Sequence, residues 1–396
     1  MVDNKKLNVA VVFEGELNVG GGFQTQLSTI LSLIKEERYN FIAIVFSLQN
    51  KTLLEKHGIK AIFLKINLLQ KICRQIFRSN IFSKFNRHLK LKTFFEKRLD
   101  GEKIDLVYFL SPSALALDLV THNYIFTIWD LSHRDTPEFP EVNHWREFES
   151  REILYNNAPK KAIAVLTDSE LGKSNAIRRY GLDKERVFSA SFVPSVNVKS
   201  NIYIDIKNKY KIDGDYIYYP AQFWSHKNHV YILDALAILK KQDIKISVIF
   251  SGSDKGNLQY VLNYAKNIGI EELVKYIGFA PNEEIYHLYK QSFALVMPSY
   301  FGPTNIPPLE AFAIGTPVFY SDLDGLREQV GDAAVLCDLN NPEDLANKLI
   351  MMSDTSKRIE MIEKGFKRLD FLQKNSVEKI LVNIFDSYAI KRKCWL

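Results

Sequence analysis

Short apolar runs that alternate with longer amphipathic stretches constrain the fold of this chain more than any other feature. The first run, Leu7–Phe13, is apolar at all positions but one, which is typical of a strand buried on both faces of a sheet. Strand–helix alternation of this kind predicts parallel sheets covered by helices on both faces, an α/β fold. The later runs lie at 41–46, 104–109, 124–128, 162–166, 187–189, 216–219, 246–250, 274–277, 294–297 and 317–320.

The length of the chain predicts two domains. A chain of 396 residues is longer than one ordinary hydrophobic core supports. A polar segment at 193–205 lacks a helical period and is the predicted boundary. We therefore predict an N-terminal domain at 1–195, a C-terminal domain at 196–372, and a C-terminal helix at 373–396 that packs back toward the N-terminal domain. Ligands of such folds bind at the carboxyl ends of the strands, so we expect a site in the cleft between the halves.

Composition excludes several classes of protein. Hydrophobic residues make up 46% of the chain and charged residues 25%, which excludes a disordered or low-complexity chain. No apolar run approaches the ~20 residues that cross a bilayer, and we expect no secretory signal. The three cysteines, Cys73, Cys337 and Cys394, are far apart, which favours a reducing, cytoplasmic location over a disulfide framework.

The most informative stretch is 298–318, PSYFGPTNIPPLEAFAIGTPV, which follows a predicted strand. Pro307 and Pro308 predict a helix start, which places Glu310 in the first turn, where a carboxylate can accept ribose or sugar hydroxyls. The alternative is a proline-capped helix with a surface glutamate. The preceding loop offers amides and short polar side chains to a diphosphate or a sugar, and its candidate residues for such a ligand are Gly302, Thr304, Asn305 and Ile306.

A second candidate stretch, 219–236, YPAQFWSHKNHVYILDAL, also follows a predicted strand. Lys227 supplies a point charge suited to a pyrophosphate, and Gln222 can orient a phosphate without neutralising it. The alternative for Lys227 is a solvated lysine in a loop. His226 and His229 have no carboxylate or thiol cluster beside them, so capping or packing is favoured over metal binding.

Two further segments follow strands in the N-terminal half. Gly20, Gly21 and Gly22 precede a helix and offer close backbone approach and unpaired N–H groups to an anion. The stretch 127–142, TIWDLSHRDTPEFPEV, carries polar side chains that can bind a ligand, namely Asp130, His133 and Arg134. The alternatives are a packed or exposed histidine, a helix N-cap at Asp130, and solvated Glu138 and Glu141.

Together these segments resemble the retaining glycosyltransferases of family 4, which have the GT-B fold of two Rossmann-like domains. The family pattern Pro-Ser-x-x-Glu-Gly-Phe-Gly-Leu-Pro-Pro-Leu-Glu-Ala, then Gly-Thr-Pro-Val, is matched at Pro298, Ser299, Pro307, Pro308, Leu309, Glu310, Ala311, Gly315, Thr316, Pro317 and Val318. The resemblance implies that Glu310 holds the nucleotide ribose. The first family glutamate, which contacts the transferred sugar, falls on Gly302, which implies that Thr304 and Asn305 hold the sugar or that donor choice has changed.

The other segments extend the resemblance. Lys227 takes the place of the lysine in the family's Gly-Arg-x-x-x-x-Lys-Asn segment, with Gln222 where arginine is frequent. The 20–22 glycines resemble the family's Gly-Gly loop, which lies against the donor phosphates and the acceptor. Asp130 matches the family's His-Asp-Leu, with Trp129 in the histidine's place.

The resemblance implies a specific activity. It is the retaining transfer of a hexose or deoxyhexose from a nucleoside-diphosphate sugar to a glycan or lipid-linked acceptor, in surface polysaccharide synthesis. Lys227, Glu310 and His133 are the implied catalytic residues, and Asp130, His133 and Arg134 are implied on the acceptor side. We expect no metal-binding Asp-x-Asp motif, and we expect the activity to need no metal ion or other cofactor. A non-catalytic GT-B protein that binds sugar nucleotides or glycans as a partner subunit is the alternative, favoured by Gly302 and Gln222.

The net charge of +6 is concentrated between residues 65 and 98. There Glu96 is the one acid among ten lysines and arginines, with aliphatic and aromatic residues interleaved. Two interpretations stay open: peripheral contact with an anionic membrane, at its inner face, or a helical pair with its apolar face in the core and its lysines solvated. A nucleic-acid partner is not expected, because no recognition motif is present.

Overall fold

The computed structural model describes residues 6–15, 20–78, 80–190, 202–302, 305–374 and 376–395. Within them strands alternate with helices as the sequence predicts. The elements of the first half are β1 (Leu7–Phe13), α1 (Gly20–Leu33), β2 (Tyr39–Val45), α2 (Leu48–Lys56), β3 (Ala61–Phe63), α3 (Leu68–Arg78), α4 (Asn80–Leu89), α5 (Phe94–Gly101), β4 (Leu106–Phe109), β5 (Tyr124–Ile128), α6 (Ser132–Asp135), α7 (Pro140–Asn143), α8 (Glu147–Lys161), β6 (Ala164–Thr167), α9 (Glu170–Tyr180) and β7 (Val187–Ser189).

The second half repeats this alternation and ends in three helices. Its elements are α10 (Ile206–Lys209), β8 (Asp215–Pro220), α11 (His229–Lys241), β9 (Ile246–Ser251), α12 (Leu258–Asn267), β10 (Val274–Tyr276), α13 (Asn282–Lys290), β11 (Ala294–Met297), α14 (Ile306–Ile314), β12 (Val318–Ser321), α15 (Asp324–Val330), β13 (Val335–Cys337), α16 (Pro342–Met351), α17 (Thr355–Lys374) and α18 (Val377–Arg392).

The strands form two parallel sheets. The first has seven strands in the order β3-β2-β1-β4-β5-β6-β7, and the second has six in the order β10-β9-β8-β11-β12-β13. The strand order reverses direction between β1 and β4 in the first sheet and between β8 and β11 in the second. In open α/β sheets a crevice for ligands forms at such a reversal, beyond the carboxyl ends of the strands. The fold therefore places a crevice beyond β8 and β11, and another beyond β1 and β4.

Predicted and observed strands agree closely in the sheet interiors. The runs 7–13, 124–128, 187–189 and 294–297 are the observed strands, and the other predicted runs differ by at most two residues at either end. Strands β3 and β13, each at one edge of its sheet, were missed. Each has only three residues, too few for a period to show, although β7 and β10 are as short and were predicted.

Hydrophobic cores lie on both faces of the first sheet and around the second. Helix α18, at the end of the chain, contributes Leu381, Ile384 and Phe385 to the core of the first sheet. The Tyr388 hydroxyl donates a hydrogen bond to the Asp105 carbonyl over 3.0 Å. The chain thus returns to the N-terminal half after completing the second sheet. The predicted boundary at 195/196 lies outside the described residues and stays a prediction.

Candidate functional site

The loop after β8 and the loop after β11 meet at Lys227. Its Nζ donates to Ser299 Oγ over 3.3 Å and to Asn305 Oδ1 over 3.2 Å. Burial lowers the pKa of the lysine to about 8, and the carboxylates of Asp130 and Glu141 oppose that shift. Both carboxylates belong to the N-terminal half, so the field at Lys227 is set from both sides of the cleft. The predicted lysine therefore stands as a cation at the strand-order reversal, where an anionic ligand can reach it.

Asn305 fixes the lysine in place. Its Nδ2 donates to the Gly302 carbonyl over 2.7 Å and to the Tyr320 hydroxyl over 2.6 Å. Its backbone N–H donates to Gln329 Oε1 over 3.0 Å, and its carbonyl accepts from Gln329 Nε2 over 2.6 Å. Because both N–H groups of the amide are engaged, Oδ1 is turned toward Lys227. Tyr320 and Gln329 are contributors that the sequence analysis missed, since no local motif marks them.

Glu310 lies on α14, where the Tyr289 hydroxyl donates to its Oε2 over 2.8 Å. The predicted first-turn position is wrong. The helix begins at Ile306, so Glu310 is its fifth residue and stands in the second turn. Asn305 takes the N-cap position, which shifts the start one residue ahead of the proline pair. Ile306 itself is buried, so it can serve a ligand only through its backbone.

Gly302 has a conformation that explains the departure from the family pattern. Its φ of +94° is in the left-handed region that favours glycine. A Cβ at this position would also lie 3.2 Å from Asn305 Oδ1, the atom that accepts from Lys227. A glutamate here would disturb the lysine's partner. The neighbouring candidate Thr304 lies outside the described residues.

Gln222 is turned toward its own loop. Its Oε1 accepts from Trp224 Nε1 over 3.0 Å. The Gly252 backbone approaches this loop so closely that a Cβ there would lie 2.2 Å from the Ala221 carbonyl oxygen. Gln222 therefore contributes to the shape of the loop that carries Lys227.

Gly20, Gly21 and Gly22 are the first three residues of α1 and do not form a loop before it. As α1 follows β1, its N-terminus lies beyond the carboxyl end of that strand. The amide groups of this turn have no partner within the helix, so an anion remains a suitable ligand.

The three acceptor-side candidates have different surroundings. Asp130 Oδ1 accepts from the Ser132 N–H over 3.0 Å and from Arg151 Nη1 over 2.8 Å. The alternative of a helix N-cap at Asp130 is wrong, because Leu131 is the N-cap of α6. Although burial raises the pKa of Asp130, Arg151 and Ser132 hold it below its ordinary value. Asp130 also borders a cavity of about 190 Å³ between the halves, together with Leu131, Leu171, Phe301, Gly302 and Leu323.

His133 and Arg134 are engaged inside the N-terminal half. The His133 ring is fully buried, with Nε2 2.9 Å from Glu152 Oε1 and 3.2 Å from the Tyr180 hydroxyl. Burial lowers its pKa, which favours the neutral ring. Arg134 Nε donates to Glu152 Oε1 over 2.7 Å, and its guanidinium lies over the Tyr180 ring. In the described part of the chain neither side chain bonds to Lys227, so the packed-histidine alternative describes His133.

Glu141 is a site residue that the sequence analysis treated as solvated, and that alternative is wrong. Its Oε1 accepts from the His226 N–H over 2.9 Å and from His226 Nδ1 over 2.5 Å, across the cleft. His226 in turn stacks on Phe301, with ring centroids 3.7 Å apart. Burial and the adjacent Lys227 lower the pKa of His226 to about 4, so the ring is neutral. The proline and glutamate pattern at 137–141 was the available signal.

The structure describes no metal-binding group. Among the described residues no three His, Cys, Asp or Glu side chains are grouped so as to hold an ion. The expectation that Asp-x-Asp spacing is absent is wrong, because Asp213–Asp215 and Asp322–Asp324 have it. Their carboxylates form surface ion pairs with Lys245, Lys207 and Arg327.

Residues 204–368 match the family model described as glycosyl transferases group 1. The O-antigen chain mannosyltransferase B of Escherichia coli is 24% identical over 243 residues, which cover 59% of this chain and 62% of that protein. A D-inositol 3-phosphate glycosyltransferase of Corynebacterium kroppenstedtii is 25% identical over 232 residues, which cover 55% of this chain and 51% of that one. The chain thus spans only half to two thirds of the length of these relatives.

Similarity to solved structures extends over nearly the whole chain. The crystal structure of Anabaena Alr3699/HepE in complex with UDP-glucose superposes with a TM-score of 0.69 at 17% identity, and covers 98% of this chain and 100% of that chain. The two parallel-sheet domains therefore have the predicted GT-B fold, and residues 204–368, which contain Lys227, Asn305 and Glu310, match the glycosyl transferases group 1 family.

Proposed function

We propose that the chain is a retaining glycosyltransferase. It transfers a hexose or deoxyhexose from a nucleoside-diphosphate sugar to a glycan or lipid-linked glycan in surface polysaccharide synthesis. The observation that carries the proposal is the placement of Lys227 between Ser299 and Asn305, within the segment that matches the family model. The O-antigen mannosyltransferase among the relatives supports a hexose donor and a surface glycan.

The main chemical task in such a transfer is to stabilise the leaving diphosphate. Negative charge develops on its oxygen as the bond to the anomeric carbon breaks. Lys227 supplies a positive charge, while the N-termini of α14 and α1 supply amide dipoles from the two sides of the cleft. Glu310 binds the ribose hydroxyls. The acceptor hydroxyl attacks on the face that the diphosphate leaves, and its proton passes to a phosphate oxygen. No side-chain nucleophile and no resident cofactor are needed.

Anionic membrane contact is part of the proposal. Helix α3 has no buried residue, which argues against the alternative of a core-facing helix. Its side chains Leu68, Leu69, Ile72 and Ile76 are each at least half exposed, beside the cations of 65–98. Two of those cations, Arg74 and Arg78, form ion pairs within the protein with the buried Asp118. No helix in the described part of the chain has the length and apolarity to span a bilayer, so the proposed contact is peripheral, on the cytoplasmic face.

Nucleotide binding tests the proposal directly. UDP, GDP, ADP and CDP are screened for a rise in the thermal midpoint of the protein. We expect one of them to stabilise it, and Glu310→Ala to remove the shift because the ribose hydroxyls lose their acceptor. Glu283→Ala, at an exposed glutamate on α13, is the matched control and should keep the shift. If the wild-type protein is stabilised by none of the four, the proposed donor site is wrong.

A non-catalytic binding protein is the second candidate, favoured by the glycine at 302. The stabilising nucleotide selects the sugar nucleotides for a turnover assay with membrane-extracted glycolipid. Release of the nucleoside diphosphate that depends on the extract supports the transferase. Binding without release across the sugars tested supports the non-catalytic alternative.

A further inference from the structure

Two carboxylates, one from each half, accept hydrogen bonds across the cleft. Glu141, on α7 of the N-terminal half, accepts from the His226 backbone and ring in the loop after β8. Glu328, on α15 of the C-terminal half, accepts from the backbone N–H groups of Glu170 and Leu171 at the start of α9, over 2.6 and 3.0 Å. The structure therefore has both halves docked, with one carboxylate contact supplied by each.

The Glu141 contact differs from the Glu328 contact in what it reaches. His226 immediately precedes Lys227, and its carbonyl accepts from the Tyr300 N–H over 2.9 Å. The His226 ring stacks on Phe301, next to Gly302. Glu141 thus touches the point where the loop after β8 joins the loop after β11. The Glu328 carboxylate instead accepts hydrogen bonds from the backbone at the start of α9.

The surroundings of the Glu141 carboxylate also suit it to hold His226 in one position. Its side chain is 7% exposed. Both hydrogen bonds from His226 end on Oε1, so the histidine backbone and ring are fixed relative to one atom of the other half. Phe139, two residues earlier, packs against the rings of His226, Tyr300 and Phe301. Charge-assisted hydrogen bonds in such a place are stronger than those exposed to solvent.

We infer that Glu141 is a positioning residue that couples docking of the N-terminal half to the placement of Lys227, so that the phosphate-binding lysine is held for the donor only when the halves are docked. This inference rests on the proposed function, because it assigns Lys227 to the donor diphosphate. Docking would therefore change donor affinity through His226 and the position of Lys227, in addition to any contacts that it adds to the acceptor.

Hydrogen exchange of the free protein tests the positioning without any ligand. In Glu141→Ala we expect faster amide exchange at His226 and Tyr300, since the first loses its acceptor and the second loses a fixed partner. Glu328→Ala is the matched control, with faster exchange at Glu170 and Leu171 and none of the change at His226 and Tyr300. Unchanged protection at His226 and Tyr300 in Glu141→Ala would overturn the inference. Glu141→Gln, which keeps one acceptor oxygen, should restore part of the protection.

Nucleotide affinity then tests the coupling. The probe is the nucleoside diphosphate that stabilises the wild-type protein, titrated calorimetrically into each folded variant. We expect Glu141→Ala to weaken binding about ten-fold or more. Glu328→Ala removes a docking contact without touching the loop that carries Lys227, so it should weaken binding clearly less. Equal affinities in the wild type and Glu141→Ala, or equal losses in both variants, contradict the coupling alone. Failure of the wild type to bind any of UDP, GDP, ADP and CDP overturns the proposed function, and the coupling with it.

Discussion

At the scale of single residues, Gly302 shows how one backbone angle decides which side chains a site can hold. We expect Gly302→Ala to lower the free energy of unfolding by about 1–2 kcal/mol, because a Cβ is disfavoured at positive φ. It should also weaken nucleotide binding, since the new Cβ crowds Asn305 Oδ1 and displaces the partner of Lys227. Denaturant unfolding and calorimetric titration measure the two effects.

Gly58 provides the matched control. It also has a positive φ, but a Cβ there would meet no atom within 4 Å. Gly58→Ala should therefore show the loss of stability without the loss of binding. Equal nucleotide affinities in the two variants would mean that Asn305 is not what transmits the effect of position 302.

The lowered pKa of Lys227 predicts how binding depends on pH. Burial brings this pKa to about 8, so the ammonium is charged below pH 8 and increasingly neutral above it. Affinity for a nucleoside diphosphate should fall by about ten-fold per pH unit above 8. Lys227→Arg keeps its charge at these pH values and should flatten the profile. A wild-type affinity that stays constant from pH 7 to pH 10 would contradict a role for this charge.

Sequence alone predicted the C-terminal part of the site better than the N-terminal part. Lys227 lies in the loop after β8, and Asn305 and Glu310 lie in the loop and helix that follow β11, in motifs where spacing limits where the side chain can go. His133 lies in a motif of the same kind, yet its ring is buried against Tyr155 and Tyr180. The contact between Glu141 and His226 joins residues 85 positions apart in different halves, and no local pattern encodes such a pair.

At the scale of elements, α3 and the residues around it predict membrane binding. A variant with Lys65, Lys71 and Lys90 changed to Glu reverses three exposed charges on this surface. We expect its flotation with anionic liposomes to fall several-fold, because each basic residue near such a surface contributes about 1 kcal/mol.

A charge-matched variant separates this surface from net charge. Changing Lys241, Lys266 and Lys357 to Glu alters the charge of the molecule equally, on exposed positions of the C-terminal half. Flotation of this control should stay near that of the wild type at moderate salt. Equal loss in both variants would indicate a response to net charge and would contradict a membrane-facing surface at 65–98.

Element types were predictable because strands buried on both faces must be apolar throughout, whereas the covering helices need only one apolar face. The same reasoning missed the three-residue edge strands β3 and β13, although it found β7 and β10, which are as short. At this length an apolar run does not distinguish a strand from a loop. It also left α3 undecided, since an amphipathic helix has the same pattern whether its apolar face meets a core or a membrane. Only the packing in the fold separates those two cases.

At the scale of the whole molecule, α18 ties the end of the chain to the first domain. Its Phe385 is fully buried and packs edge-on against Tyr39 of β2, with ring centroids 5.2 Å apart. Asp386 beside it forms an ion pair with Arg38. The N-terminal core is therefore incomplete until α18 has been synthesised. A domain division drawn from sequence order alone does not express this dependence.

Phe385→Ala should consequently destabilise the N-terminal domain, although residue 385 follows the entire C-terminal sheet. The loss of a buried aromatic side chain is expected to cost about 3–5 kcal/mol. Ile390→Ala, at a position on the same helix that is 67% exposed, is the control and should cost little. Denaturant unfolding followed by hydrogen exchange would locate the loss, with protection falling in β1 and β2 and persisting in β8 and β9. Protection that falls equally in both sheets would instead mean that the two domains unfold as one cooperative unit.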